Sequence, residues 1–260
     1  MKLPLLHITG SGEPFIWLHG MMNSVESDSV YSLINFEQLA QKVTVIRYNY
    51  SDKSVTGNYT WKFLAEELLA VLDSQKIDQS ILGGLSMGSG TILHAAVNYP
   101  DRVKALILVT PPPAWENREE VKKVYRKIAS KTNPENIPEF LRRIVVWNQD
   151  PPLYYEQLHP GIREKLQDLR LAFNPAYYTR LYLDGANSDM PSREQISQLS
   201  VPTLIIALEQ DSNHPLKMAK ELHSLIKGSE IEVITNLQDH RNLQKKVHEF
   251  LEKLPKDNKS

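Results

Sequence analysis

Ser80-Ile81-Leu82-Gly83-Gly84-Leu85-Ser86-Met87-Gly88 is the stretch on which the reading of this chain turns. Ile81 to Gly84 is an apolar run of strand length, and Thr91 to Tyr99 has the make-up of a helix. A Gly-x-Ser-x-Gly string alone says little, because both residue types are common. Set between a strand and a helix, it predicts a sharp turn with Ser86 at its tip. A serine there must take a strained backbone conformation, and a Cβ two positions to either side would collide with the strand or the helix. Gly84 and Gly88 remove those clashes. The hydroxyl is then presented at a strand's end, where a nucleophile is wanted.

The same alternation continues on both sides. Leu3 to Thr9 and Phe15 to Leu18 read as strands joined by Gly10-Ser11-Gly12-Glu13-Pro14, and β-branched Val43 to Tyr48 as a third. Trp61 to Leu72 carries Phe63, Leu64, Leu68, Leu69 and Leu72 at helical spacing. Val103 to Val109 and Val201 to Leu208 are nearly continuous in apolar residues, as strands covered on both faces are. Leu216 to Ile226 reads as a helix, Ile231 to Ile234 as a short strand and Leu243 to Leu254 as a closing helix. Strands alternating with helices predict a mostly parallel central sheet flanked by helices. Between Pro113 and Ser200 the alternation stops, and the segment reads as helices over Glu116–Ser130, Pro138–Trp147, Pro151–Phe173 and Pro175–Asn187. The expected division is a core of residues 1–112 and 199–260 with a helical lid, 113–198, over the carboxyl edge of the sheet.

A chain of 260 residues with 41% hydrophobic and 23% charged residues is that of an ordinary globule. Its net charge of −1 gives no electrostatic reason to expect nucleic acid as a partner. The absence of cysteine removes disulfides, thiolate metal sites and a cysteine nucleophile. No apolar run approaches the length of a membrane span, and Met1 to His7 lacks a signal-peptide core, so a cytoplasmic location and no membrane insertion are expected. Histidines and carboxylates show no metal-ligand spacing, so no bound metal is expected. Oligomeric state is left open.

Serine needs a base to take its proton, and the base needs an acid to hold its tautomer. Asp211 follows the strand ending near Leu208, ahead of the competing carboxylates Glu209 and Asp239 in its placement. Of the eight histidines, His240 follows the last strand and is the expected base. His94 lies inside the helix after Ser86, and His214-Pro215 is read as shaping the loop into the next helix. Trp17-Leu18-His19-Gly20-Met21-Met22 ends a strand in a turn assisted by Gly20. The backbone N–H groups of Met21 and Met87 are the expected oxyanion donors. Met22, Leu85, Trp147 and Tyr154 are candidates for the substrate pocket.

With these residues named, the chain resembles α/β-hydrolases of the lidded esterase and lactonase type over residues 3–112 and 199–254. The resemblance implies the α/β-hydrolase fold, a sheet of eight strands or slightly fewer, a lid inserted after the sixth, an acyl-serine intermediate and no cofactor. It implies hydrolysis of small carboxylic esters or lactones. Carbon–carbon bond hydrolysis, acyl transfer or peracid formation use the same triad, and a non-catalytic small-molecule sensor can share the fold. The chain departs from the family pattern at Leu85, Leu208, Asp239 and Tyr48-Asn49-Tyr50-Ser51, none of which removes a triad atom.

Overall fold

The structure is a computed structural model, and it describes residues 3–51, 57–131, 156, 159–172 and 175–255. Its strands are β1 (Leu6–Thr9), β2 (Pro14–Leu18), β3 (Thr44–Tyr48), β4 (Ser80–Leu85), β5 (Val103–Val109), β6 (Thr203–Leu208) and β7 (Glu230–Ile234). They form one seven-stranded sheet in the order β1-β3-β2-β4-β5-β6-β7. β1 runs antiparallel at one edge and every other pairing is parallel. Each parallel crossover except that between β5 and β6 is made by a short helical connection: α1 (Val25–Val30) and α2 (Phe36–Leu39), α3 (Trp61–Ser74), α4 (Met87–Asn98) and, further on, α9 (Leu216–Leu225). The sheet closes with α10 (Leu237–Lys253).

The apolar runs explain this topology. β5 is buried at all seven positions and β6 at all six, so neither has a face to offer to water. One face of the sheet packs on α3 and α4 through Ile16, Leu64, Leu68, Leu82, Ile92 and Leu106. The other packs on α2 and α10 through Phe15, Phe36, Val45, Ile107, Leu243 and Val247.

Between β5 and β6 the described residues hold no strand. They form α5 (Glu119–Lys131), α6 (Ile162–Leu171), α7 (Pro175–Ala186) and α8 (Arg193–Ser197). α6 begins only after Gly161, whose φ of 83° breaks the longer helix expected from Pro151. Counted in this chain the helical segment follows the fifth strand and not the sixth, because a single edge strand precedes β2. The segment is pinned to the core at its exit. Asp184 accepts the backbone N–H of Tyr59 at 2.7 Å, and the Ser188 hydroxyl accepts that of Trp61 at 3.2 Å. Trp147 and Tyr154, and with them the helix expected over Pro138–Trp147, lie outside the described residues.

Candidate active site

β4 delivers Leu85 to the carboxyl edge of the sheet and α4 begins at Met87, so Ser86 occupies the turn between them with φ 51° and ψ −108°. That conformation is disfavoured for any residue with a side chain and persists only where its surroundings enforce it. Here they do. Ser86 N–H donates to the Val109 carbonyl at 2.9 Å, and the Ser89 hydroxyl donates to the Gly84 carbonyl at 2.6 Å. The flanking glycines leave no room for anything larger. A Cβ on Gly84 would lie 2.4 Å from the Gly88 carbonyl carbon, and one on Gly88 would lie 2.1 Å from the Leu18 carbonyl oxygen.

The imidazole that reaches Ser86 is that of His214. Its Nε2 lies 2.8 Å from Ser86 Oγ, and its Nδ1 lies 2.7 Å from Asp211 Oδ2. The sequence expectation of His240 in this place is corrected. α10 starts at Leu237 and not at Leu243, because Asn236 caps it by accepting from the N–H groups of Gln238 and Asp239. Thr235 and Asn236 are the whole connection from β7. His240 therefore sits in the first turn of a helix, its N–H bonded to Asn236, and not on a loop free to reach the sheet edge. Burial and the charge of His159 lower its pKa. The signal was present in the chain: Asn236 with Asp239 three residues on has the spacing of a helix start.

His214 reaches the serine because its loop folds back on the acid. Asp211 Oδ1 accepts the backbone N–H groups of Asn213 at 2.9 Å and His214 at 3.1 Å, a tight turn closed by an aspartate side chain. Its other oxygen is left for the ring. Burial pushes the Asp211 carboxyl up, yet the bond and charge from His214 and the two backbone N–H groups outweigh it and hold the carboxyl below its ordinary value. The carboxyl thus stays charged beside the His214 ring. Asp211-x-x-His214 is the readable trace of this arrangement, and the sequence reading gave that histidine only a loop-shaping part.

Met87 is the first residue of α4, where a helix leaves its N–H groups without intrahelical acceptors. On the other side of Ser86, the turn after β2 is closed by Asn23 N–H donating to the Gly20 carbonyl at 3.1 Å. The left-handed residue in this turn is Met22, with φ 69°, and not Gly20. Tyr50 secures the turn's entry by donating its hydroxyl to the His19 carbonyl at 2.8 Å.

Ser86, Asp211 and His214 lie on the wall of a cavity of about 860 Å³, together with Gly20, Met21, Met22 and Leu85. The roof comes from the helical segment: Val121, Val124, Tyr125 and Ile128 of α5, Leu166 and Arg170 of α6, and Tyr182 of α7. His240 is not among the lining residues. The lining is largely hydrocarbon and aromatic, with a minority of polar groups that include Ser86, Asp211, His214, Glu120 and Arg170. Among the described residues no group of three His, Asp or Glu side chains converges as a metal site would, and no helix is long and apolar enough to cross a membrane.

Proteins similar to this chain are found among hydrolases. The 2-hydroxymuconate semialdehyde hydrolase of Pseudomonas sp. (strain CF600) is 27% identical over 237 residues, covering 88% of this chain and 81% of its own. The enol-lactonase of Burkholderia xenovorans LB400 superposes with a TM-score of 0.78 at 19% identity, over 96% of each chain. A thermophilic esterase from Thermogutta terrifontis gives 0.76 at 22% identity, covering 95% of this chain and 90% of that one. At such identities the structural matches speak for the fold alone. The model of the alpha/beta hydrolase fold family matches residues 13–142, half of the chain and the half that contains the Ser86 turn, so this protein belongs to the α/β-hydrolase family and is a hydrolase.

Proposed function

We propose that the protein is a serine hydrolase of small carboxylic esters or lactones, and that His214 is its base. The observation that carries this reading is the unbroken path from Ser86 Oγ to His214 Nε2 and from His214 Nδ1 to Asp211 Oδ2, at 2.8 and 2.7 Å. Both lie within the reach that proton transfer and tautomer control require. Ser86 Oγ attacks the carbonyl carbon as its proton passes to His214 Nε2. The carbonyl oxygen gains the negative charge, and the N–H groups of Met21 and Met87 receive it. Preorganised donors of this kind are worth roughly 3 kcal/mol of barrier each. The tetrahedral adduct collapses, the C–O bond breaks, and His214 returns the proton to the leaving alkoxide. Water, deprotonated by the same imidazole, then releases the acid and regenerates Ser86. Residues 113–198 act as a lid, since α5, α6 and α7 supply the roof over the serine.

A p-nitrophenyl ester series from acetate to decanoate tests the reading, run with wild type and with S86A, H214Q and H240Q. Turnover in the wild type should vanish in S86A, fall by about six orders of magnitude in H214Q and stay within a few-fold in H240Q. An inactive H240Q beside an active H214Q would return the base to the later histidine. A wild type inert to the whole series would overturn the ester and lactone substrates in favour of carbon–carbon cleavage.

A further inference from the structure

The turn that presents Met21 is stapled from both ends to one buried carboxylate. Trp17, on β2 just before the turn, donates its indole N–H to Asp28 Oδ2 at 2.6 Å. Asn23, the residue that closes the turn, donates its side-chain N–H to Asp28 Oδ1 at 3.0 Å. The two oxygens of one side chain thus fix the two flanks of Leu18-His19-Gly20-Met21-Met22. Asp28 is 3% exposed, so these bonds are not shared with bulk water. The network continues into the roof. Arg170 of α6, also 3% exposed, donates from a terminal guanidinium nitrogen to Asn23 Oδ1 at 3.1 Å. Beside it, Tyr182 of α7 donates its hydroxyl to the Met22 sulfur at 3.3 Å, against the one left-handed residue of the turn.

We propose that Asp28 is a positioning residue for the oxyanion site: through Trp17 and Asn23 it sets the direction of the Met21 N–H, and Arg170 extends that restraint to the roof of the cavity. The proposal rests on the reading of Ser86 as nucleophile and of Met21 N–H as an oxyanion donor. None of the four side chains needs to touch the reacting atoms. Asp28 lies outside the cavity wall, and Asn23 spends its carbonyl on Arg170 and its amide on Asp28. What they control is the placement of a backbone dipole, and a donor misplaced by about 1 Å can cost roughly a hundredfold in rate.

D28N is the first test, because it keeps the shape while turning one acceptor into a donor that faces another donor, from Trp17 or Asn23. The readouts are kcat and KM on the preferred ester, the melting temperature, and the affinity of a trifluoromethyl ketone that forms a tetrahedral adduct with Ser86. Kcat should fall about ten- to a hundredfold with KM within about threefold, and affinity for the ketone should fall in step with kcat/KM. A folded D28N with wild-type kcat and ketone affinity would overturn the proposal. Where D28N does not fold, R170K carries the test: Lys keeps a single donor towards Asn23, so kcat should drop less in R170K than in R170M with KM held. A rise in KM at constant kcat in either variant would make Arg170 a substrate contact and overturn its positioning role. Failure of the underlying reading looks different, since the wild type itself would then neither turn over esters nor capture the ketone, and the proposal would fall with it.

Discussion

Gly88 bears on two parts of the site at once. The Cβ of an alanine there would sit 2.1 Å from the Leu18 carbonyl oxygen, on the strand that leads into the turn of Gly20 to Met22. Helix propensity alone would reward that alanine by about 1 kcal/mol, whereas forcing atoms into a close-packed contact costs about 1–3 kcal/mol or more. Sterics win, because the obstacle is backbone and not a side chain that can swing aside. G88A should therefore lower the melting temperature by several degrees and reduce kcat, both measurable on one preparation. At this scale the sequence was legible where geometry is local: a glycine on either side of Ser86 follows from the turn itself. His214 was not legible as the partner of Ser86, because its position depends on Asp211 accepting two backbone N–H groups from its own loop, a bond pattern that strand-and-helix periodicity does not register. His240 misled for the complementary reason, a helix start at Asn236 that brought the residue inside α10.

α3 shows what a helix costs when it buries a charge. Its Glu67 is 1% exposed beneath the residues that follow β3 and accepts from the N–H and hydroxyl of Ser51. Burial raises its pKa from 4.5 to about 7, with the Ser51 N–H pulling the other way. The folded protein thus holds this proton more tightly than the unfolded chain, and stability should decline as pH climbs from about 4.5 to about 7 and level off above. Asp28 adds a similar decline up to about pH 6, since burial raises it from 3.8 despite its bonds to Trp17 and Asn23 and the nearby Arg47 and Arg170. E67Q removes the larger of the two titrations. It should be more stable than wild type at pH 8, by about 3 kcal/mol at most, and equal to it near pH 4, as read from urea melts at each pH. Most elements of the sheet were legible because strands buried on both faces have no polar alternation to confuse them. The buried glutamate of α3 was not, since Glu66 and Glu67 look alike in a helical pattern until the packing chooses which one faces inward.

For the molecule as a whole, the decisive joint is Arg118, 1% exposed between β5 and α5. Its guanidinium donates to the carbonyls of Pro113, Gly185 and Ser188 at 3.0, 2.8 and 2.6 Å and lies 4.1 Å from the centre of the Trp61 ring. One side chain therefore ties the entrance of the helical segment to its exit and seats both on α3. R118M would strand three buried carbonyls and should cost about 3–5 kcal/mol, seen as a fall in melting temperature with the cavity roof loosened. The insertion of a helical segment between two sheet strands was legible from the loss of alternation after Pro113, and its clasp was not, because two of its three partners are main-chain atoms some seventy residues away. A last consequence follows from the loop that holds Asp211 and His214 three residues apart. The carboxylate and the imidazole arrive as one cassette, and among the described residues none that lines the cavity comes later in the chain than His214. α9, β7 and α10 thus bear on the cavity through packing and not through its wall. Evolution or a designer could vary them so long as β7 still pairs with β6, the strand that leads to Asp211, through Leu208 and Ile234.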